Sequence, residues 1–179
     1  PRRARVLRRW VAGRGLPPLP GNGIAGIERD LLGASTDSEA RFEWAGASIQ
    51  PWRGRLHAHV VPAGLPSGWS QLWDGSHVLQ LPTGATLALA GTARFDTPLR
   101  VHARQGGERI LLPGRTHHHV LKHVLQERGV PPWQRLGMPL LSDAGGALLA
   151  AGDSILSAAL DAWLQARRAR LHWRNAPIA

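Results

Sequence analysis

The chain reads as an α+β protein of two small domains, each with short antiparallel strands and one or two packed helices. Three observations lead there. Apolar residues recur at helical spacing near the start, at Val6, Leu7, Trp10 and Val11; from Arg41 the apolar period changes to two; and the stretch VPAGLPSGWS, rich in Pro, Gly and Ser, interrupts the pattern before alternation resumes. The 179 residues are 43% hydrophobic, enough to bury a core in one moderate domain or in two small ones. The boundaries that follow are 1–62 for the first domain, 63–76 for a linker and 77–176 for the second.

Taken in order, the first helix stops near Gly13 to Gly15, ahead of Pro17 and Pro18. A second helix is predicted from about Ile24 to Leu32, where Ile24, Ile27, Leu31 and Leu32 share a face. RFEW, an Ala-Gly turn, ASIQ and RGRLHAHV then read as antiparallel strands, which makes Trp44, Trp52 and Leu56 core or sheet-face residues. Beyond the linker, HVLQL and TLALA flank Pro-Thr-Gly as one hairpin, and LRVHARQ and ERILL flank Gly106-Gly107 as another, since Gly-Gly suits the positive φ angles of a two-residue turn. A helix is predicted from about His118 to Arg128, capped by Gly129 and closed off by Pro131 and Pro132. MPLLS and ALLAAG form a further hairpin around Asp143 to Gly146, a helix follows from about Ser157 to Gln165, and RARLHWR closes as a strand.

Charge narrows the function. There are 22 basic residues against 12 acidic ones, a net +10, and of the basic residues only Lys122 is lysine. A guanidinium keeps its charge and offers a planar fork that matches two phosphate oxygens, so an arginine excess points to a polyanionic partner. Placement adds to the total. Arg2, Arg3, Arg5, Arg8, Arg9 and Arg14 open the chain with no acid among them, and the seven basic residues from Arg100 to Arg135 meet only Glu108 and Glu127. The stretch from Pro17 to Leu99 is near neutral by comparison. Such clustering is the electrostatic footprint of a nucleic-acid binder. Absence of cysteine excludes disulfides and thiolate metal sites and fits a reducing compartment. No apolar run reaches the roughly 18 residues that span a bilayer, so no membrane partner is expected.

The candidate binding residues follow from these patterns. Arg104 and Arg109 flank the Gly-Gly turn and Arg115 follows a second tight turn, so three guanidiniums are expected to project from loops at one sheet end. Lys122 with Arg128 is expected to line a phosphate-binding groove along the predicted helix. A competing reading comes from His117, His118, His119 and His123: the i, i+4 spacing of His119 and His123 places two imidazoles on one helix face, as in a histidine-dependent metallohydrolase. The glutamate of a HExxH zinc site is missing, however, and Lys122 repels a cation. Asp143, Asp153, Ser142 and Ser154 lie in turn-like contexts with no base beside them, so no catalytic residue is assigned. Trp133, after two prolines, is expected to pack under its own loop. A general basic RNA or DNA-binding module is a third reading.

Several segments together resemble one family. RRARVLRRWV at Arg2 to Val11 and QPWRGRLHAHV at Gln50 to Val60 resemble the middle, substrate-binding domain of bacterial tRNA(Ile)-lysidine synthetase. RQGGER at Arg104 to Arg109, LPGR at Leu112 to Arg115, LKHVLQE at Leu121 to Glu127 and PPWQRLGMPLL at Pro131 to Leu141 resemble its C-terminal domain. The chain departs from the family pattern at His123, where a second basic residue is common, and at Ala103, where a larger side chain is. The resemblance implies that residues 1–62 are part of the middle domain and 77–176 a C-terminal tRNA-binding domain. It also implies tRNA-binding roles for Arg8, Arg9, Arg104, Arg109, Arg115, Lys122, Arg128 and Arg135. The family's ATP and Mg belong to an N-terminal ATP pyrophosphatase domain with an SGGxDS loop, which is absent here; GASTDS at Gly33 to Ser38 and GDS at Gly152 to Ser154 are superficial echoes. The chain is therefore expected to be inactive alone, to hold no cofactor, and to have as partners that ATPase domain of the same polypeptide and an isoleucine tRNA with a CAU anticodon. In the family, ATP adenylates the wobble cytidine of that tRNA in the bacterial cytoplasm and lysine displaces AMP.

Overall fold

The computed structural model describes residues 2–32, 40–91 and 94–174. These fall into two compact units, Pro1–Val61 and Pro62–Ala179, and the architecture is α+β in both.

In the first unit, helix α1 (Arg2–Ala12) and helix α2 (Gly23–Asp30) precede a meander of β1 (Phe42–Trp44), β2 (Ala47–Trp52) and β3 (Arg55–Val60). Both hairpins turn through two residues with positive φ, Ala45 and Gly46 at 41° and 77°, and Arg53 and Gly54 at 49° and 73°, the twist that antiparallel strands accept best. Period-two alternation does the rest. Ala47, Ile49 and Ala58 bury on one sheet face against Val11, Leu16, Leu19, Ile27 and Leu31 from the helical side. Trp44 sits half-buried with its indole N–H donating to the Pro17 carbonyl at 3.0 Å, which ties the segment after α1 to the sheet. Gly26 stands inside α2 for a reason: a Cβ there would lie 2.9 Å from the Phe42 ring.

The second unit has two sheets. Strands β4 (Ser70–Trp73), β7 (Leu99–His102), β10 (Leu140–Ser142), β11 (Leu148–Ala151), β8 (Arg109–Ile110) and β9 (His119–Val120) run in that order across the larger sheet, with β12 (Ile155–Leu156) also paired to β11. Strands β13 (Arg170–Arg174), β6 (Thr86–Ala90) and β5 (Leu79–Gln80) form the smaller one. Helices α3 (Leu121–Glu127), α4 (Pro132–Arg135) and α5 (Ala158–Arg167) complete the unit.

The larger sheet is covered on both faces. Val101, Leu141 and Ala150 join a core with Trp73, Leu87, Phe95 and the α5 residues Leu160 and Leu164. Their immediate neighbours Leu140 and Ala151, with Leu148 and Ile110, point the other way into a core built on Leu121, Val124 and Leu125 of α3. Adjacent residues of a strand face opposite sides, so β10 requires apolar side chains at consecutive positions where a one-sided sheet would alternate.

Three expectations meet a different outcome. The strands flanking Gly106-Gly107 do not pair with each other: β7 pairs with β4 and β10, whereas β8 pairs with β9 and, in parallel, with β11. The loop between them is closed by the side chain of Glu108 rather than by a backbone ladder, as described below. The helix expected from His118 begins at Leu121, because His119 and Val120 extend as β9 opposite Ile110 and Arg109. The stretch 63–76, read as a linker, contains β4, and Trp73 at its end is 1% exposed. Beyond the close of α3, PPWQR includes the short helix α4 with proline at its start. The hairpins β5–β6 and β10–β11, the Gly129 cap (φ 72°) and α5, whose Ser157 hydroxyl accepts from the Leu160 N–H at 3.2 Å, form where the sequence places them.

Candidate nucleic-acid interface

The candidate site lies between β7 and α4 of the second unit. Gly106 and Gly107 both adopt positive φ, 91° and 78°, a pair of conformations that side chains with a Cβ rarely take. One carboxylate oxygen of Glu108, Oε1, accepts the backbone N–H groups of Gln105 (2.6 Å) and Gly106 (2.8 Å), and the other, Oε2, lies 3.7 Å from Nη2 of Arg104. The Glu108 carbonyl accepts the Leu121 N–H at 2.8 Å, so the same residue also fixes the start of α3. Burial pushes the Glu108 carboxyl up, but the backbone N–H donors and the Arg104 guanidinium outweigh it and hold the group below the usual carboxylate range.

The eight candidate basic residues divide into two kinds. Arg109 is exposed, with Nη2 donating to the His118 carbonyl at 2.9 Å, and Arg115 is exposed in the turn closed by its N–H to the Leu112 carbonyl at 3.1 Å. Lys122 and Arg128 are exposed on α3 and at its C-terminal end, where the helix dipole favours a cation. In the first unit Arg8 and Arg9 are exposed on α1. Arg104 and Arg135 are different. The Arg104 side chain is only 24% exposed and faces Glu108. Arg135 is half-buried and donates from Nε (2.8 Å) and Nη2 (2.6 Å) to the Val130 carbonyl, bracing the segment between α3 and α4. Burial first and the Arg104 charge second lower the Arg135 pKa from its ordinary value. Arg104 therefore does not project freely from the loop as expected, because its charge is turned onto a carboxylate.

The histidine-metal geometry is not realised as read. With the helix starting at Leu121, His119 is a strand residue whose ring stacks on His117 at 4.7 Å, so His119 and His123 do not share a helical face. Among the described residues no three His, Cys, Asp or Glu side chains gather as a metal site. Of the two echoes of an ATP-binding loop, GDS is engaged in structural contacts. Asp153 of GDS accepts the Trp173 N–H at 3.1 Å and Gly152 closes a turn against the Trp173 ring, while GASTDS lies outside the described residues. Ser142 and Asp143 also have structural partners. Asp143 closes the β10–β11 turn through the Ala147 N–H, and Ser142, 2% exposed, bonds His102 Nε2 at 2.9 Å while His102 Nδ1 meets the Ala103 carbonyl. This buried Ser-His pair was not legible from the sequence, since the two residues lie 40 apart. Trp133 is half-buried.

These features define an α+β chain with exposed cations on α1, along the segment from β8 to the end of α3, and again at Arg167, Arg168, Arg170 and Arg174, the class of surface that meets a polyanion. Comparison with known proteins gives the family. Residues 1–57 match the family model described as TilS substrate binding domain, and residues 99–173 match that described as TilS substrate C-terminal domain. The chain belongs to the TilS family over these two regions. A tRNA(Ile)-lysidine synthase of Xanthomonas campestris pv. campestris (strain 8004) is 51% identical over 180 residues, covering 99% of this chain and 41% of the relative. One from Xylella fastidiosa (strain Temecula1 / ATCC 700964) is 51% identical over 178 residues, covering 97% of this chain and 40% of the relative. The chain thus spans about two fifths of the length of these relatives. A solved structure described as "Crystal structure of TILS C-terminal domain" is similar at 21% identity and a TM-score of 0.45, covering 62% of this chain and all of that one.

Proposed function

We propose that the chain is the tRNA-gripping portion of a tRNA(Ile)-lysidine synthase, which seats an isoleucine tRNA so that its wobble cytidine reaches a catalytic domain supplied elsewhere in the same polypeptide. ATP and Mg chemistry belongs to that domain, and this chain supplies binding and orientation in the bacterial cytoplasm. One observation supports the reading above the others: Arg109, Arg115, Lys122 and Arg128 are all exposed within the C-terminal matched region, and Glu127 is the exposed acid among them. Their side chains reach phosphates by charge and shape, the mode by which folded RNA is held without base-edge contacts.

With Arg8 and Arg9 these residues make six exposed cations, and neutralising about six phosphates gives a slope of log K against log salt of roughly −4 to −5. A filter-binding titration with the CAU-anticodon isoleucine tRNA tests this. Affinity independent of salt refutes the reading. Equal competition by other tRNAs and by duplex DNA assigns the chain to general basic binding instead.

A further inference from the structure

We propose that Glu108 is a positioning residue for polyanion binding: a carboxylate inside the cationic segment that holds the Gly-Gly loop in shape, so that deleting its negative charge weakens RNA binding instead of strengthening it. The inference rests on the functional reading above and adds a residue that the charge pattern alone assigns to the opposite side.

Two acids interrupt the basic run from Arg100 to Arg135, and the structure separates them. Glu127 is exposed on the last turn of α3, and among the described residues no hydrogen bond or ion pair holds it. It lies between Lys122 and Arg128 in the chain, and its charge repels phosphate wherever one comes within the Debye length of about 8 Å at physiological salt, so it is expected to oppose binding. Glu108 has a side chain 12% exposed, turned inward. Two sets of contacts depend on its carboxylate and one on its main chain. Its Oε1 gathers the Gln105 and Gly106 N–H groups, its Oε2 faces Arg104, and its carbonyl anchors the first residue of α3. Arg109, the next residue, leaves the loop in the direction this clasp dictates and bonds the His118 carbonyl.

Without the carboxylate, two loop N–H groups lose their acceptor and two glycines are left with little to limit their backbone angles. Arg109 then loses its fixed starting point, and the ordering of that guanidinium has to be supplied at the moment of binding. Arg104 works through Glu108: its charge offsets the carboxylate, so the clasp presents little negative potential to the RNA.

The test compares wild type, Glu108→Ala, Glu108→Gln and Glu127→Gln in tRNA filter binding from roughly 50 to 300 mM salt. Glu108→Ala is expected to bind about tenfold more weakly, with a salt slope shallower by about one phosphate contact. Glu108→Gln keeps an acceptor oxygen for both N–H groups and falls between it and wild type. Glu127→Gln binds at least as tightly as wild type. The proposal is overturned if Glu108→Ala binds as tightly as wild type or more so. It is overturned equally if the affinity falls with the slope unchanged, or if Glu108→Gln is no better than Glu108→Ala, since both outcomes assign Glu108 to general stability. Wild type that binds without salt dependence overturns this proposal together with the functional reading, whereas salt-dependent wild type beside an unaffected Glu108→Ala overturns this one alone.

Discussion

Arg115→Ala offers a clean measure of what one exposed guanidinium contributes. Arg115 sits at the tip of the turn after Leu112, exposed, and among the described residues no carboxylate or carbonyl engages its side chain. Truncating it therefore removes charge without opening a cavity or stranding a buried group, and the unfolding free energy is expected to stay within about 0.5 kcal/mol of wild type. Binding should respond differently. Each phosphate contact adds about 0.7 to 0.9 to the salt slope, so losing one contributes a factor of roughly 5 in affinity at 0.15 M salt and roughly 10 at 0.05 M. The signature is thus a wild-type to variant ratio that doubles as salt is lowered threefold. Parallel filter-binding titrations of the two proteins, with a urea melt of each, supply every quantity needed. A ratio that does not change with salt, or a large loss of stability, refutes the assignment of Arg115 to a phosphate.

Two further outcomes follow from the residues that share the segment. Arg135→Ala removes two charged hydrogen bonds to the Val130 carbonyl and should cost about 1.5 to 3 kcal/mol in urea unfolding while leaving the salt slope of tRNA binding close to wild type; a shallower slope at unchanged stability would reverse its assignment from brace to phosphate contact. Glu108 has a folded-state pKa below its unfolded one, so its contribution to stability is complete above the ordinary carboxylate range and is lost as pH falls through the folded value. Urea midpoints of wild type and Glu108→Gln measured from neutral to acid pH should therefore converge on the acid side, and curves that stay parallel would count against the clasp.

Much of the local architecture was readable because it is local. Alternation through Ala47, Ile49 and Ala58, the Ala45-Gly46 turn, the Gly129 cap and the start of α5 near Ser157 each depend on a few neighbouring residues, whereas Arg53 and Gly54, read as strand, form the β2–β3 turn. The misplaced hairpin around Gly106-Gly107 failed for the opposite reason: two glycines permit a tight turn, but the partner of Val101 is Leu141, and nothing near the loop announces it. The candidate site divided along the same line. Position in a basic run nominated Arg109, Arg115, Lys122 and Arg128, which are exposed, and equally Arg104 and Arg135, which are partly buried and face Glu108 and the Val130 carbonyl. A formal charge is visible in a sequence; the direction in which it points is set by packing. The four-residue spacing of Arg104 and Glu108 was the one available hint that the loop closes on itself.

The pairing of β13 with β6 bears on how the second unit comes into being. Arg170 to Arg174 register against Ala90 to Thr86, so one sheet joins segments made some eighty residues apart. A chain emerging from the ribosome holds β6 with an open edge, and Leu171 absent from its core, until the last strand has cleared the exit tunnel. Long-range closure of this type delays folding, and shortening the chain by only the residues after Arg168 would leave the nascent unit exposed to aggregation while every arginine of the β8 to α3 segment was already synthesised.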